Sequence, residues 1–445
     1  MIEVPDSRRL PAEELAAMLT DARRRTYELT DDLTGDRQLG PKLSIVNPPL
    51  WELGHVGFFH DYFALRKLYG LDAYQIPEAE QLYDSSAIAH DPRWELPLPD
   101  RARTHEYLDR IQAAMLARLP DGGEASAEQT HIYQLTLLHE DMHGEAFFWS
   151  RQTLGDPQPA ITVPDRLPSA EPSGPWPGDV QVPGGEHVLG SEADAEAPFR
   201  FDNEKPAQRL VVEPFSIARA PVTNAEFEAF VDAGGYNDPR WWSEEGWQYI
   251  QEQGVTAPRN WRDGPNGREQ RLFDQWWPLA PHQPVSFVSY WEAEAWCNWA
   301  GRRLPTELEW EVAASRVPDA SGRELTPGKR IYPWGDERPE ARHANLDGYR
   351  LGRVDVAALP DGDSGCGCRQ MLGNVWEWTS SLFRPYPGFE AGLYRDYSQP
   401  WFKEDRRVLR GGAWPTRPRL VHNMHRNFFL PGRNDLFTGF RTCAR

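Results

Sequence analysis

The chain has 445 residues, with 48 Lys+Arg against 67 Asp+Glu and a net charge of −19. A single core rarely grows past roughly 250–300 residues, so two domains are expected, and 40% apolar with 26% charged residues excludes wholesale disorder. The acidic balance offers no basic field for a nucleic-acid backbone, no apolar run reaches the ~18–20 residues of a membrane helix, and four cysteines are too few for a disulfide scaffold and point to a reducing cytoplasm.

The first six residues, Met1 to Asp6, are acidic and lack an apolar run, so no secretion signal is expected. Residues 8 to about 154 read as helical. The segment from Pro11 to Leu33 is rich in Ala, Leu, Glu and Arg. Asn47-Pro48-Pro49 resembles a cap with prolines in the first turn, opening a helix that runs to about Tyr69 and stops at Gly70. Residues 101–118 carry Tyr107, Leu108, Ile111, Met115 and Leu116 at helical spacing, and a fourth helix runs from about Ala127 to Leu154 before Gly155. Four such elements predict an antiparallel bundle over 1–160. A proline-rich linker over 161–178 follows. Residues 179–445 mix short β-like runs (Val180–Val182, His187–Leu189, Arg209–Val212) with two short helical patterns, Asn224–Asp232 and Trp291–Gly301. The whole is an α+β protein. Its 19 Trp, beside 40 Pro and 36 Gly, suggest a loop-rich second domain in which Trp mostly staples loops.

The sharpest chemical feature is His139-Glu140-Asp141-Met142-His143-Gly144-Glu145 in the fourth helix. Residues four apart share a helical face with Cβ atoms about 6 Å apart, so His139 and His143 can bind one ion. Glu145 lies roughly 200° round the helix from His143 and cannot join it there. The string also spells the HExxH of metalloproteases, but a helical bundle lacks the strands and loops of a protease cleft. A third ligand must come from elsewhere. His55 sits mid-helix in Trp51-Glu52-Leu53-Gly54-His55-Val56-Gly57, among apolar neighbours, and is read as pointing inward; His60, His90, His105 and His131 are the alternatives. Three neutral imidazoles leave positions open for water, O2 or substrate, and both Zn2+ and Fe2+ accept them.

The second half contains Phe201-Asp202-Asn203-Glu204-Lys205-Pro206, Gly301-Arg302-Arg303-Leu304-Pro305-Thr306-Glu307-Leu308-Glu309-Trp310-Glu311, Tyr332-Pro333-Trp334-Gly335, Gly373-Asn374-Val375-Trp376-Glu377-Trp378 and Val408-Leu409-Arg410-Gly411-Gly412-Ala413-Trp414. Over about 178–445 these strings closely resemble the formylglycine-generating (sulfatase-modifying factor) fold, a loop-rich lectin-like domain. The first half, with His55 and His139-x-x-x-His143, resembles the four-helix metal-binding bundles of the DinB type. The pairing in this order resembles the ergothioneine-synthase family of non-haem iron enzymes, which use O2 and Fe2+ to join a chalcogen to imidazole C2 of hercynine (Nα-trimethylhistidine). The resemblance implies His55, His139 and His143 as iron ligands, and an active site at the domain interface. It also implies a substrate loop at Arg426–Arg433. In that loop Asn427 and Phe428 would face the betaine and Arg433 a polar end, while Phe428, Phe429 and Trp414 would offer aromatic faces to the trimethylammonium group. Met142, between the two helix ligands, is a further substrate-binding candidate, and Tyr386 and Ser86 are candidates for a catalytic role. The fold also implies a bound Ca2+ or Na+ near Asn374.

Two departures bear on the chalcogen donor. Mycobacterial-type members carry an acidic residue at the place of Phe429 that grips the amine of γ-glutamylcysteine, which Phe cannot do. Cysteine-using members carry adjacent tyrosines where this chain has Ser86 and Ala87. The string Leu82-Tyr83-Asp84-Ser85-Ser86, with Asp91-Pro92-Arg93-Trp94, is more similar to the selenoneine synthases of the family, which take a selenosugar. The expected function is therefore O2-dependent C–Se bond formation on hercynine. C–S bond formation from a cysteine-type thiol is the alternative within the family. A Zn-dependent DinB-type thiol transferase and a non-enzymatic sugar- or peptide-binding module are the alternatives outside it. Cys366-Gly367-Cys368 reads as structural, because one intervening residue strains a disulfide, and Cys297 and Cys443 read as core residues.

Overall fold

The computed structural model describes residues 9–73, 75–170, 173–192 and 199–445. The acidic stretch Met1 to Asp6, and Glu171-Pro172 of the expected linker, lie outside the described residues. The chain divides into two compact units between Thr162 and Val163. No helix among the described residues is long and apolar enough to cross a membrane.

The first unit is built on α1 (Ala12–Thr30), α2 (Pro49–His60), the short α3 (Ala79–Tyr83), α4 (Arg101–Leu116) and α5 (Ala127–Leu154). The long helices pack as a bundle, α1 and α4 each against a neighbour and α2 against both α4 and α5. Local chemistry sets the ends of α5. Ser126 and Gln129 form a reciprocal capping box at its start, and Gly155, at φ +72°, closes it in the left-handed conformation that glycine adopts at no steric cost. The helix expected to run to Tyr69 changes character after His60, where Asp61–Leu68 winds as a π-helix. The wider turn places side chains five apart over one another, and Arg66 grips Asp61 at 2.7 Å. Helix α2 is buried nearly all round. A methyl group at Gly54 would collide with the Tyr83 ring, and one at Gly57 with Leu108 of α4, so both glycines are required for close approach.

The second unit contains thirteen strands among its described residues. They are β1 (Asp179–Val182), β2 (Gly185–Leu189), β3 (Gln208–Val212), β4 (Phe215–Ala218), β5 (Trp261–Gly264), β6 (Gly267–Leu272), β7 (Gln275–Pro278), β8 (Arg302–Arg303), β9 (Trp376–Leu382), β10 (Arg407–Arg410), β11 (Asn427–Phe429), β12 (Thr438–Gly439) and β13 (Cys443–Ala444). They form two four-stranded sheets, ordered β1-β4-β13-β8 and β11-β10-β9-β12, a hairpin of β2 and β3, and the meander β5-β6-β7. Four helices accompany them: α6 (Asn224–Asp232), α7 (Glu244–Gln253), α8 (Tyr290–Trp299) and α9 (Glu307–Ser315). Two of these, α7 and α9, go beyond the two helical patterns expected from sequence. The signal for α9 was present as Thr306-x-x-Glu309, a capping box that forms in the structure.

Buried ion pairs run through this loop-rich unit. Glu377 accepts from Arg441 Nε at 2.6 Å and from Trp310 Nε1 at 2.8 Å. Glu311 accepts from Arg410 at 2.5 Å and Lys329 at 2.7 Å, and Glu307 from Arg426 at 2.6 Å. Trp310, Trp378 and Trp414 are buried in this interior, with Trp378 Nε1 donating to Val288 O at 2.9 Å. Trp therefore packs the fold, as its composition suggested. The Asn374 amide makes four hydrogen bonds with Asn345, Gln370 and the Val354 backbone. Its side-chain capacity is met by protein groups. The four cysteines are free thiols. Burial pushes Cys366 up to about 12 and Cys368 up to about 11, so neither is a ready thiolate.

Candidate metal centre

Helix α5 presents His139 and His143 one turn apart, and α2 presents His55 opposite them. One ring nitrogen from each lies within 4.8 Å of the others. The Nε2 atoms of His139 and His143 are 3.2 Å apart, a separation two imidazoles reach when both bind one ion with bonds of about 2.1 Å.

Each ring is fixed differently. His55 donates from Nδ1 to the Tyr83 carbonyl at 2.8 Å and lies parallel to Trp51 at 5.1 Å. His139 is stacked on Phe59 at 3.6 Å with an 8° interplanar angle. His143 Nδ1 meets Glu52 Oε1 at 2.6 Å. With Nδ1 of His55 and His143 engaged, their Nε2 lone pairs are left for an ion. Burial, reinforced by His143, pushes His55 down to about 3, and burial also holds His139 well below the usual imidazole range. Both are thus in the neutral form that ligates. The donor set, three imidazoles with no thiolate, suits Zn2+ or Fe2+.

The other histidines of the first unit are occupied elsewhere. His60 places Nε2 3.0 Å from Glu140 and Nδ1 3.4 Å from Met115 Sδ. His90 bonds the Val46 carbonyl, His105 packs at a tilt against the Tyr27 ring, and His131 on α5 is half-buried outside the cluster. Glu140, the acid of the HExxH match, bonds Arg23 at 2.8 Å and Thr26 at 2.8 Å. Burial alone would raise its carboxyl, but Arg23 and His60 hold it well below the usual range. It is an ion-paired strut between α5 and α1, which removes it as a general base. Met142 is half-buried beside His143, and Glu145 is buried farther along α5. Ser86 is exposed in the turn after α3, where its N–H donates to Asp84. It is Tyr83, three residues earlier, that touches a ligand.

In the second unit, Asn427, Phe428 and Phe429 form edge strand β11 and are all half-buried. Asn427 Oδ1 accepts from the Phe428 N–H at 2.8 Å, and Phe428 stacks on Phe383 at 3.8 Å. Arg433 lies over Phe429 at 5.2 Å and grips Asp435 at two points, 2.6 and 2.7 Å. Tyr386 and Trp414 are interior residues. The Tyr386 hydroxyl donates to Glu307 at 3.0 Å with Arg426 over its ring, and Trp414 packs edge-on against Phe437 and Phe273. Sequence reasoning missed Glu52 and Tyr83 as partners of the histidines. The available signal for Glu52 was a lone carboxylate at i−3 from His55 in an otherwise apolar helix.

Replacing Gly54 with alanine would drive Tyr83, whose carbonyl orients His55, away from α2. The expected cost is about 1–3 kcal/mol of stability, with weakened metal binding. Thermal melting and metal titration of the variant check both.

A histidine-lined helical bundle followed by a loop-rich mixed-sheet unit defines the class. Residues 18–147 match the DinB superfamily, and residues 164–445 match the sulfatase-modifying factor enzyme 1-like domain. The chain is 41% identical to hercynine oxygenase of Mycobacterium tuberculosis over 438 residues, covering 96% of this chain and 98% of that protein. It is also 41% identical to hercynine oxygenase of Mycolicibacterium thermoresistibile, over 96% of this chain and 94% of that one. The formylglycine-generating enzyme of Bos taurus is 31% identical over 63% of this chain and 78% of its own length. The chain belongs to the hercynine oxygenase family of two-domain, ergothioneine-related non-haem iron enzymes.

Proposed function

We propose that this protein catalyses O2-dependent formation of a carbon–selenium bond at imidazole C2 of hercynine, with a selenosugar as donor and Fe2+ held by His55, His139 and His143. The observation that carries the reading is near-full-length similarity to hercynine oxygenases together with the convergence of three imidazole nitrogens within 4.8 Å. The selenosugar assignment rests on Phe429 and on Ser86-Ala87. A sugar selenol carries no amine for an acidic grip to hold, and these positions supply none.

The balance is that of a four-electron oxidation. The hercynine C2–H and the donor Se–H are lost, a C–Se and an Se=O bond form, and the second oxygen atom leaves as water. A bound Fe2+ would supply the one-electron steps and a template for the reactants. The protein's part is orientation and exclusion of water. Tyr83 O and Glu52 set the tautomers of His55 and His143, and the Trp51 and Phe59 rings wall the cluster against solvent. We assign substrate contact to Met142, Asn427, Phe428, Phe429 and Arg433, with aromatic faces for the trimethylammonium group. Tyr386, Trp414 and Ser86 remain lesser assignments, since the first two are fully engaged in packing and hydrogen bonding.

The test incubates Fe2+-loaded protein, O2 and hercynine with a selenosugar, cysteine or γ-glutamylcysteine, and reads product masses. A hercynyl selenoxide from the selenosugar alone is expected. A sulfoxide from cysteine would transfer the assignment to C–S bond formation, and no O2 uptake with any donor would overturn the oxygenase reading.

A further inference from the structure

We infer that Glu52 is a positioning residue for the metal centre, holding His143 as a ligand through its carboxylate. The inference rests on the reading of His55, His139 and His143 as one metal site.

Glu52 is 1% exposed on α2, a helix whose other side chains are apolar apart from His55 and His60. A buried carboxylate is costly unless a partner offsets its lost hydration. Among the described residues its hydrogen-bonded side-chain partner is His143, at 2.6 Å and across from another helix. Arg93, stacked at 4.0 Å over the neighbouring Trp51, adds positive charge nearby.

The three imidazoles differ in what they need. His139 is clamped by the Phe59 ring, and His55 is held by a backbone carbonyl and the Trp51 face. His143 has the most exposed side chain of the three, 17% against 4% or less for the whole His55 and His139 residues. Packing alone therefore leaves its ring the freest to rotate. A carboxylate on Nδ1 restrains it. It fixes the proton on Nδ1, aims Nε2 at the site, and makes Nε2 a stronger donor. It also places a carboxylate next to the imidazole ligands, offsetting part of the charge of a divalent ion.

Removing a carboxylate partner of a ligating histidine typically weakens metal binding by about 10–100-fold. The test titrates the full-length protein and its Glu52→Gln and Glu52→Ala variants with Co2+ alone, in competition with a chromophoric chelator, and records the visible spectrum of the bound ion. Wild type should bind one Co2+ per chain, and His139→Ala should bind none. Glu52→Ala should lose roughly 10–100-fold in affinity and show a shifted Co2+ spectrum. Glu52→Gln keeps an oxygen acceptor in place but not the charge, so an intermediate loss is expected, with an unchanged melting temperature in the absence of metal. A purely structural role for Glu52 would lower stability and leave the spectrum unchanged. Wild-type affinity and spectrum in both variants would overturn the inference alone. A wild-type protein that binds no ion at these histidines would overturn the site reading and this role with it.

Discussion

Replacing His139 with alanine is expected to remove the metal and reduce turnover to background while the bundle stays folded. The ring supplies the nitrogen that lies 3.2 Å from His143 Nε2, and without it His55 and His143 are left as a two-point site on separate helices. Two imidazoles hold a divalent ion far more weakly than three, because each further ligand binds an ion already localised by the others. His60→Ala is the matched control. His60 faces Glu140 and Met115, so its loss should leave metal stoichiometry intact and cost about 1–3 kcal/mol of stability as Glu140 loses one partner. Metal analysis after dialysis, O2 uptake with hercynine, and circular dichroism separate the two variants. Stoichiometric metal in the His139 variant would remove this histidine from the site. The same variant tests the binding-module alternative, for which ligand binding would survive unchanged.

Removing the Glu311 carboxylate is expected to have the largest effect on stability. Arg410, Lys329 and His187 all converge on it, and Arg410 is completely buried. Glu311→Ala leaves that guanidinium without one of its two carboxylates, a change that typically costs about 3–5 kcal/mol. In a unit of this size that corresponds to a fall of roughly 10 °C in the melting temperature of the second unit. Burial alone would raise the Glu311 carboxyl, but Lys329, Arg410 and His187 override it and hold it well below the usual range. The sign follows from linkage. A carboxyl depressed in the folded state contributes its full stabilisation above the unfolded value, about 4.3, and loses it as pH falls toward the folded value. Melting temperatures of wild type should therefore drop steeply below about pH 4.5, and Glu311→Gln should be both lower at pH 7 and flatter through that window. Parallel acid curves for the two proteins would assign the acid sensitivity to other carboxylates, such as Glu204 beside His422 and His425, which hold it down to about 2 against the raising effect of burial.

The helices that carry the site were legible because their signals are local. Ser126, Gln129 and Gly155 mark the ends of α5 within a few residues of the chain, and the spacing of His139 and His143 places them on one face wherever that helix packs. The strings of the second unit likewise marked its fold, since residues such as Trp310, Glu377 and Arg410 occupy positions that a single interior network demands. Less legible were features set by non-local contacts. The π-helical winding after His60 depends on where Asp61 and Arg66 meet.

The sequence by itself determined the two-part organisation, the i,i+4 histidine pair and the expectation that a third imidazole joins it, because helical period and capping are properties of adjacent residues. Only the tertiary structure decided which glutamate serves which histidine. Glu140, directly after His139, turns away to Arg23 and Thr26, whereas Glu52, 91 positions from His143 in the chain, lies against its ring. The physical reason is that successive side chains on a helix diverge by about 100°, so a neighbour in sequence is carried off the face, and the partner has to come from the opposing helix.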